Sequence, residues 1–75
     1  SKEYISLAKS HEDLHRYATL SWQANEDGDH SKAISYFDDT YRSYQEFDEA
    51  LHRFQSKMHS LGYNDITQIV KFEHS

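Results

Sequence analysis

A repeat of apolar and aromatic residues, at alternating steps of three and four, dominates the second half of this 75-residue chain. This heptad stripe consists of Phe37, Thr40, Tyr44, Phe47, Leu51, Phe54, Met58 and Leu61. Steps of three and four place side chains along one side of an α-helix, as in coiled coils. The stripe therefore predicts a long helix with one continuous apolar side, which a second helix or another chain must cover.

Two glycines divide the chain, which contains no proline, into three helical segments. Gly28 and Gly62 stand where a helix would end in a left-handed residue, and Ser1 and Asp29 are suitable N-caps. We expect three helices, over about residues 2–26, 30–61 and 65–72. The predicted fold class is all-α: a long antiparallel helical hairpin plus a short third helix, in one domain covering residues 1–75.

Two arrangements of these helices are open. In a three-helix bundle, helix 3 covers the part of helix 2 that helix 1 leaves bare; in a dimeric four-helix-type bundle, a second hairpin does so. The chain contains no cysteine, so disulfides cannot support its small core. Scaffolds of this size usually need a disulfide, a metal ion or oligomerisation, which favours association with another chain.

Charge and composition exclude several classes of function. With 13 acidic residues against 8 lysines and arginines, the net charge is −5, which disfavours nonspecific binding to nucleic acid or to an anionic membrane. No apolar run approaches the roughly 20 residues of a membrane-spanning helix. The lack of cysteine favours a reducing compartment, so we expect a cytoplasmic protein.

The segment from His11 to His15 matches the H-E-x-x-H pattern of zinc proteases. In those enzymes the two histidines bind zinc and the glutamate activates the bound water. No third ligand can be argued here, no strand pattern is present, and His11 lies on the apolar stripe of helix 1. A zinc metallohydrolase is one alternative, but we expect core or interface histidines, with no metal, no cofactor and no catalytic residue.

A second pattern is Arg53 followed six residues later by His59. It resembles the signature of HEPN-type ribonucleases, in which an arginine and a histidine act on RNA at a dimer cleft. The resemblance implies a further alternative, a HEPN-like ribonuclease or a dimeric helical RNA-binding regulator. The simpler interpretation is an exposed basic patch with His52 and Lys57 beside the apolar side of helix 2.

Residues 17–40 resemble a single tetratricopeptide repeat with Gly28 in its turn. The residues at the packing positions of such a repeat are Tyr17, Leu20, Ser21, Ala24, His30, Ala33, Phe37 and Thr40. A histidine replaces the usual aromatic near the turn, and no proline ends the second helix. The resemblance implies protein–protein binding without catalysis, and one such repeat needs neighbours to cover its faces.

The function that these observations favour is a small helical protein–protein interaction module or regulatory accessory protein, without catalysis. We expect its partner to be a second copy of the chain or a helix of a foreign protein, and nucleic acid to be an improbable ligand. Helix 1 can cover six residues of the heptad stripe, whereas Ile34, Tyr36 and Tyr41 widen the stripe beyond what one neighbouring helix can bury. The six residues are Phe37, Tyr44, Phe47, Leu51, Phe54 and Met58. The predicted interface residues are Ile34, Tyr36, Phe37, Tyr41, Tyr44, Phe47, Leu51, Phe54 and Met58.

Overall fold

A computed structural model describes residues 1–62, 70, 71 and 73 of the chain. The described part contains two α-helices, α1 at Lys2–Glu26 and α2 at His30–Ser60, and no strand. The prediction of an all-α helical hairpin is therefore confirmed, and α2 ends one residue before the predicted boundary. The predicted third helix falls mostly outside the described residues. Glu73, just beyond it, accepts a hydrogen bond from the Ser1 hydroxyl at 2.8 Å and so lies beside the start of α1.

Both helices begin at the predicted N-caps. The Ser1 hydroxyl accepts a hydrogen bond from the backbone N–H of Tyr4 at 3.0 Å, and an Asp29 carboxylate oxygen accepts one from Lys32 N–H at 3.1 Å. Each bond satisfies one of the N–H groups that the first turn of a helix leaves without an internal partner. The two caps fix where each helix starts, and the Asp29 cap also marks the end of the turn between the helices.

The turn between the helices depends on Gly28, whose φ is +79°. The Gly28 N–H donates to the Asn25 carbonyl at 3.1 Å, and the Asp29 N–H donates to the Ala24 carbonyl at 3.0 Å. This pair of bonds is the Schellman ending of an α-helix, which requires a left-handed residue at the glycine position. Gly62, with φ at +88°, follows α2 in the same conformation, as predicted.

Replacing Gly28 by alanine is expected to destabilise the hairpin by about 1–2 kcal/mol through the backbone alone. A Cβ atom at this position would meet no heavy atom within 4 Å, so steric crowding adds nothing. Gly28→Asn should cost less than Gly28→Ala, because asparagine tolerates the left-handed region. Urea unfolding of the two variants measures the difference, and equal midpoints for wild type and Gly28→Ala would contradict the expectation.

The helices pack through a small-residue column, in which every side chain is serine or alanine. Its buried members are Ser10 and Ala24 of α1 and Ala33, Ser43 and Ala50 of α2. Side chains this small let two helices approach closely, since the interaxial distance depends on the residues at the contact. The column therefore sets a tight packing distance for the hairpin.

Two serine hydroxyls satisfy their hydrogen bonding within this contact. Ser21 Oγ donates to the Ala33 carbonyl at 2.7 Å and so links α1 directly to α2 near the turn. Ser10 Oγ lies 3.0 Å from the carbonyl oxygens of Ser6 and Leu7 in its own helix. The buried serine can therefore lie between the helices without losing a hydrogen bond, which would otherwise cost stability.

Larger side chains fill the open end of the hairpin, away from the turn. Phe54 is 7% exposed and Met58 is fully buried, and the Tyr4 ring lies 5.9 Å from the Phe54 ring. Most of the large apolar core of the described residues is therefore concentrated at this end.

The prediction that helix 1 can cover six residues of the heptad stripe is wrong for three of them. Phe37, Tyr44 and Leu51 remain between 42% and 61% exposed, and Leu61, outside those six, is 49% exposed. The residues that face α1 instead include Ser43 and Ala50, each one position before an exposed member of the stripe. One residue corresponds to about 100° around a helix. The small side chains permit the closer contact, so α2 presents that neighbouring column to α1.

Candidate functional site: an exposed aromatic face

Five large side chains of α2 form an exposed row on one side of the helix. Steps of three, four and seven join them, so they lie along one side of an α-helix. The least exposed of them, Leu51, is 42% exposed. The row consists of Ile34, Phe37, Tyr41, Tyr44 and Leu51. The rings of Tyr41 and Tyr44 stack with their centroids 6.5 Å apart.

Helix α1 contributes to the same side of the hairpin. Near the turn, Ala18 and Trp22 line an open groove together with Ile34 and Phe37, and Trp22 is 65% exposed. Two helical turns before Ala18, the His11 ring lies 5.3 Å from the ring of half-buried Phe47. The α2 row, these α1 residues and Phe47 are called the aromatic face below, together with His15, which contacts His11.

The opposite side of the hairpin is polar and charged. Lys9 and Asp13 of α1 line a shallow depression with Glu46, Glu49 and Arg53 of α2. Ion pairs on the charged surface join Arg16 to Asp13 at 3.0 Å, Arg42 to Asp39 at 3.1 Å and Arg53 to Glu49 at 3.8 Å. Exposed pairs such as these contribute little to stability. Their effect is to keep one side of the hairpin hydrated while the other side is apolar.

The structure divides the predicted interface residues into three groups. The five residues of the α2 row are exposed, Tyr36 and Phe47 are half-buried, and Phe54 and Met58 lie in the core. Tyr36 lines a separate pocket with Leu20 and Lys32, whose ammonium lies 5.9 Å from the Tyr36 ring. Tyr36, Phe54 and Met58 are therefore not part of the aromatic face.

The α1 half of the face is absent from the predicted interface. Trp22, at 65%, is more exposed than any residue of the α2 row, and Tyr4, outside the face, is 37% exposed next to Phe54. Both residues lie on the three-and-four stripe of α1, as His11 and Ala18 do. The spacing that predicted the exposed row on α2 could thus also have predicted the α1 residues of the face, because the apolar sides of the two helices of a hairpin face related directions.

The two histidines of the H-E-x-x-H match lie side by side. Their Nε2 atoms are 3.1 Å apart, and their ring centroids are 4.6 Å apart in an edge-to-face arrangement. Within the described part of the chain, no group of three or more His, Asp or Glu residues is placed to hold a metal ion. A protease-type site with three protein ligands therefore does not assemble from these residues.

The arginine and histidine of the ribonuclease-like pattern lie in different surroundings. Arg53 pairs with Glu49 and lines a shallow pocket with Lys57 and Ser60. His59 is exposed and is not one of the residues around that pocket. Six residues correspond to about 240° around a helix. The side chains of Arg53 and His59 therefore point to different sides of α2.

The chain matches no protein family, and neither a curated protein nor a solved structure shows significant similarity to it. The resemblance of residues 17–40 to a tetratricopeptide repeat accordingly finds no support from these comparisons. In the part of the chain that the structure describes, neither helix has a stretch long and apolar enough to span a bilayer. The surfaces of the hairpin therefore provide the evidence on which its function is argued.

Proposed function

We propose that the chain is a small protein-interaction module, without catalysis, that binds a helical partner through the aromatic face, and that this partner is a second copy of the chain. The observation that supports the proposal is the collection of exposed large side chains on one side of the hairpin, led by Trp22, Ile34 and Phe37. Monomeric proteins rarely expose contiguous apolar surface of this kind unless it binds something. Aromatic residues are also the type enriched in protein interfaces.

The geometry of the hairpin favours a second hairpin as the occupant. The aromatic face extends from Leu51, toward the open end, to Trp22 near the turn, and both helices contribute to it. Two such faces packed together would form a four-helix bundle with its aromatic core between the hairpins. The charged sides would point outward, so that a net charge of −5 on each chain would not be buried between them.

The chemistry of the face supports binding more than catalysis or RNA recognition. Its side chains are mostly apolar or phenolic, and these supply contact area. The arginines that could contact phosphate, Arg42 and Arg53, each lie beside a carboxylate of their own helix. An RNA ligand would have to compete with those carboxylates and with the negative net charge.

Phe37→Glu is expected to weaken self-association at least tenfold, because it places a carboxylate within an apolar contact. Sedimentation equilibrium over a range of concentrations measures the change. The fold should persist, since the Phe37 side chain is 61% exposed in the single hairpin. Tyr41→Glu, at 57% exposure, should act in the same direction.

The matched control is Ser35→Glu, which adds the same charge two residues away on another side of α2. Ser35 is exposed and lies outside the aromatic face, so this variant should associate like the wild type. A wild-type chain that stays monomeric at high micromolar concentration would overturn the homodimer. An equal loss of association in Ser35→Glu and Phe37→Glu would show that net charge, and not the face, controls association.

A further inference from the structure

His11 and His15 direct two ring nitrogens at one point on the surface of α1. The Nε2–Nε2 separation of 3.1 Å is close to what a shared metal ion needs. Two nitrogens held at about 2.0–2.1 Å from zinc are about 2.9 Å apart at a right angle and about 3.4 Å apart at the tetrahedral angle. The observed separation lies between these limits, so an ion could be chelated with small ring movements.

The pair can take up an ion without losing a proton. A hydrogen bond between the two Nε2 atoms, 3.1 Å apart, requires one ring to carry its proton on Nε2 and the other to accept there. When a metal ion binds both Nε2 atoms, that proton moves through water to Nδ1 of the same ring. Both rings then remain neutral, with their protons on Nδ1, which is the form in which histidine ligates metals.

The surroundings of the pair keep the two rings on the same side of the helix. The four-residue spacing places them one above the other in the interior of α1, away from its ends. On the α2 side, the Phe47 ring borders His11. Three residues after His15, Ala18 begins a second pair with the same four-residue spacing, Ala18 and Trp22, which line the groove of the aromatic face. The pair therefore belongs to the surface that the proposed dimer would bury.

One chain supplies only half of a tetrahedral site. Structural zinc takes four protein ligands, and the described part of this chain assembles no set of three. His11 and His15 flank the midpoint of α1, which spans Lys2–Glu26. A two-fold axis that crosses the helices at right angles at the middle of the face packs α1 against α1 of the second copy, middle against middle. A second copy would thus bring its own histidine pair to the same place.

We propose that His11 and His15 bind a divalent transition-metal ion such as Zn²⁺, and that the same pair of a second copy completes a four-imidazole site inside the dimer interface. This inference rests on the proposed self-association. Imidazole suits Zn²⁺, Cu²⁺ and Ni²⁺, for which the site offers neither thiolate nor carboxylate. Four protein ligands leave no position for a reactive water, so the metal strengthens association and does not hydrolyse a substrate.

Zinc titration by calorimetry, with sedimentation before and after treatment with EDTA, tests the proposal. We expect one Zn²⁺ per two chains, and association strengthened about tenfold when free Zn²⁺ is about ten times its dissociation constant. His11→Gln and His15→Gln should each abolish the zinc effect. His59→Gln, which removes another exposed histidine, should retain it. Co²⁺ as a probe should give the visible absorption of a tetrahedral nitrogen site.

The outcomes separate this site from the self-association on which it rests. Dimers in EDTA that Phe37→Glu disrupts, combined with no response to zinc, would leave the proposed function standing and overturn the metal site. A metal-free monomer that dimerises only with zinc, through His11 and His15, would support the site and refute association by the apolar surface alone. One ion per chain with unchanged association, or equal loss in His59→Gln, would overturn the shared site.

Discussion

Phe54→Ala is expected to destabilise the folded hairpin by about 3–5 kcal/mol, whereas Phe37→Ala should change its free energy of unfolding by less than about 1 kcal/mol. Both phenylalanines belong to the heptad stripe of α2. Phe54 is 7% exposed and packs beside Tyr4, while Phe37 is 61% exposed. A domain of this length has about 4–11 kcal/mol of stability in total. The loss of Phe54 would therefore remove a large share of it.

Urea unfolding at low protein concentration measures both variants without a contribution from association. Because the two substitutions are chemically identical and lie in one helix, their effects on helix propensity largely cancel in the comparison. Phe37→Ala should instead weaken dimerisation, which Phe54→Ala is not designed to test. Similar destabilisation by both would contradict the division of the stripe into a buried part and an exposed part.

Ala50→Leu is expected to destabilise the hairpin by about 1–3 kcal/mol, even though leucine is more apolar and an equally good helix former. Ala50 is 2% exposed and faces α1 within the small-residue column. Three added carbon atoms would have to separate the helices or adopt a strained rotamer. Chemical or thermal unfolding of the purified variant measures the loss.

The control for this substitution is Ala8→Leu on α1. Ala8 is exposed, so the same three carbon atoms meet solvent there, and the change should stay within about 0.5 kcal/mol. A neutral or stabilising Ala50→Leu would mean that the helices do not approach as closely as the small-residue column requires.

Helix positions could be predicted closely because the signals that set them act over a few residues. A serine or aspartate that accepts an N–H of the first turn, as Ser1 and Asp29 do, determines where a helix starts. A glycine with positive φ determines where the preceding helix ends. None of these interactions depends on how the hairpin is packed, so the sequence contains all the information they need.

Which side of α2 is buried depends on the helix that packs against it, and hydrophobicity alone predicts the wrong side. The apolar residues Tyr44 and Leu51 predict one buried side of α2, but Ser43 and Ala50 beside them are the residues that face α1. These small side chains allow the two helices to approach closely, provided that the opposite helix also has small residues at the contact. A hydrophobicity scale does not record this property. The useful signal is the spacing of small residues, seven between Ser43 and Ala50 in α2 and fourteen between Ser10 and Ala24 in α1.

The candidate site was predicted in part for the same reason. The α2 row was predicted from the stripe and from Ile34 and Tyr41, which widen it, because these residues lie on one side of one helix. Its extension onto α1 through Trp22 and His11 depends on how the two helices are rotated toward each other. That rotation is a property of the folded hairpin. It also removes Phe54 and Met58 from the face by turning them into the core.

The separation of the small-residue column from the aromatic face has a consequence for how such a chain can change over generations. Substitutions at Ile34, Tyr41 or Trp22 alter the shape presented to a partner without disturbing Ser43 or Ala50. Since specificity is a difference between affinities, modest alterations of the face can redirect binding, whereas changes in the column destabilise the hairpin. Descendants of one ancestral hairpin would keep the column, Gly28 and the buried Phe54 and would diverge mainly on the face, so their overall sequence identity would decay before their shared shape did.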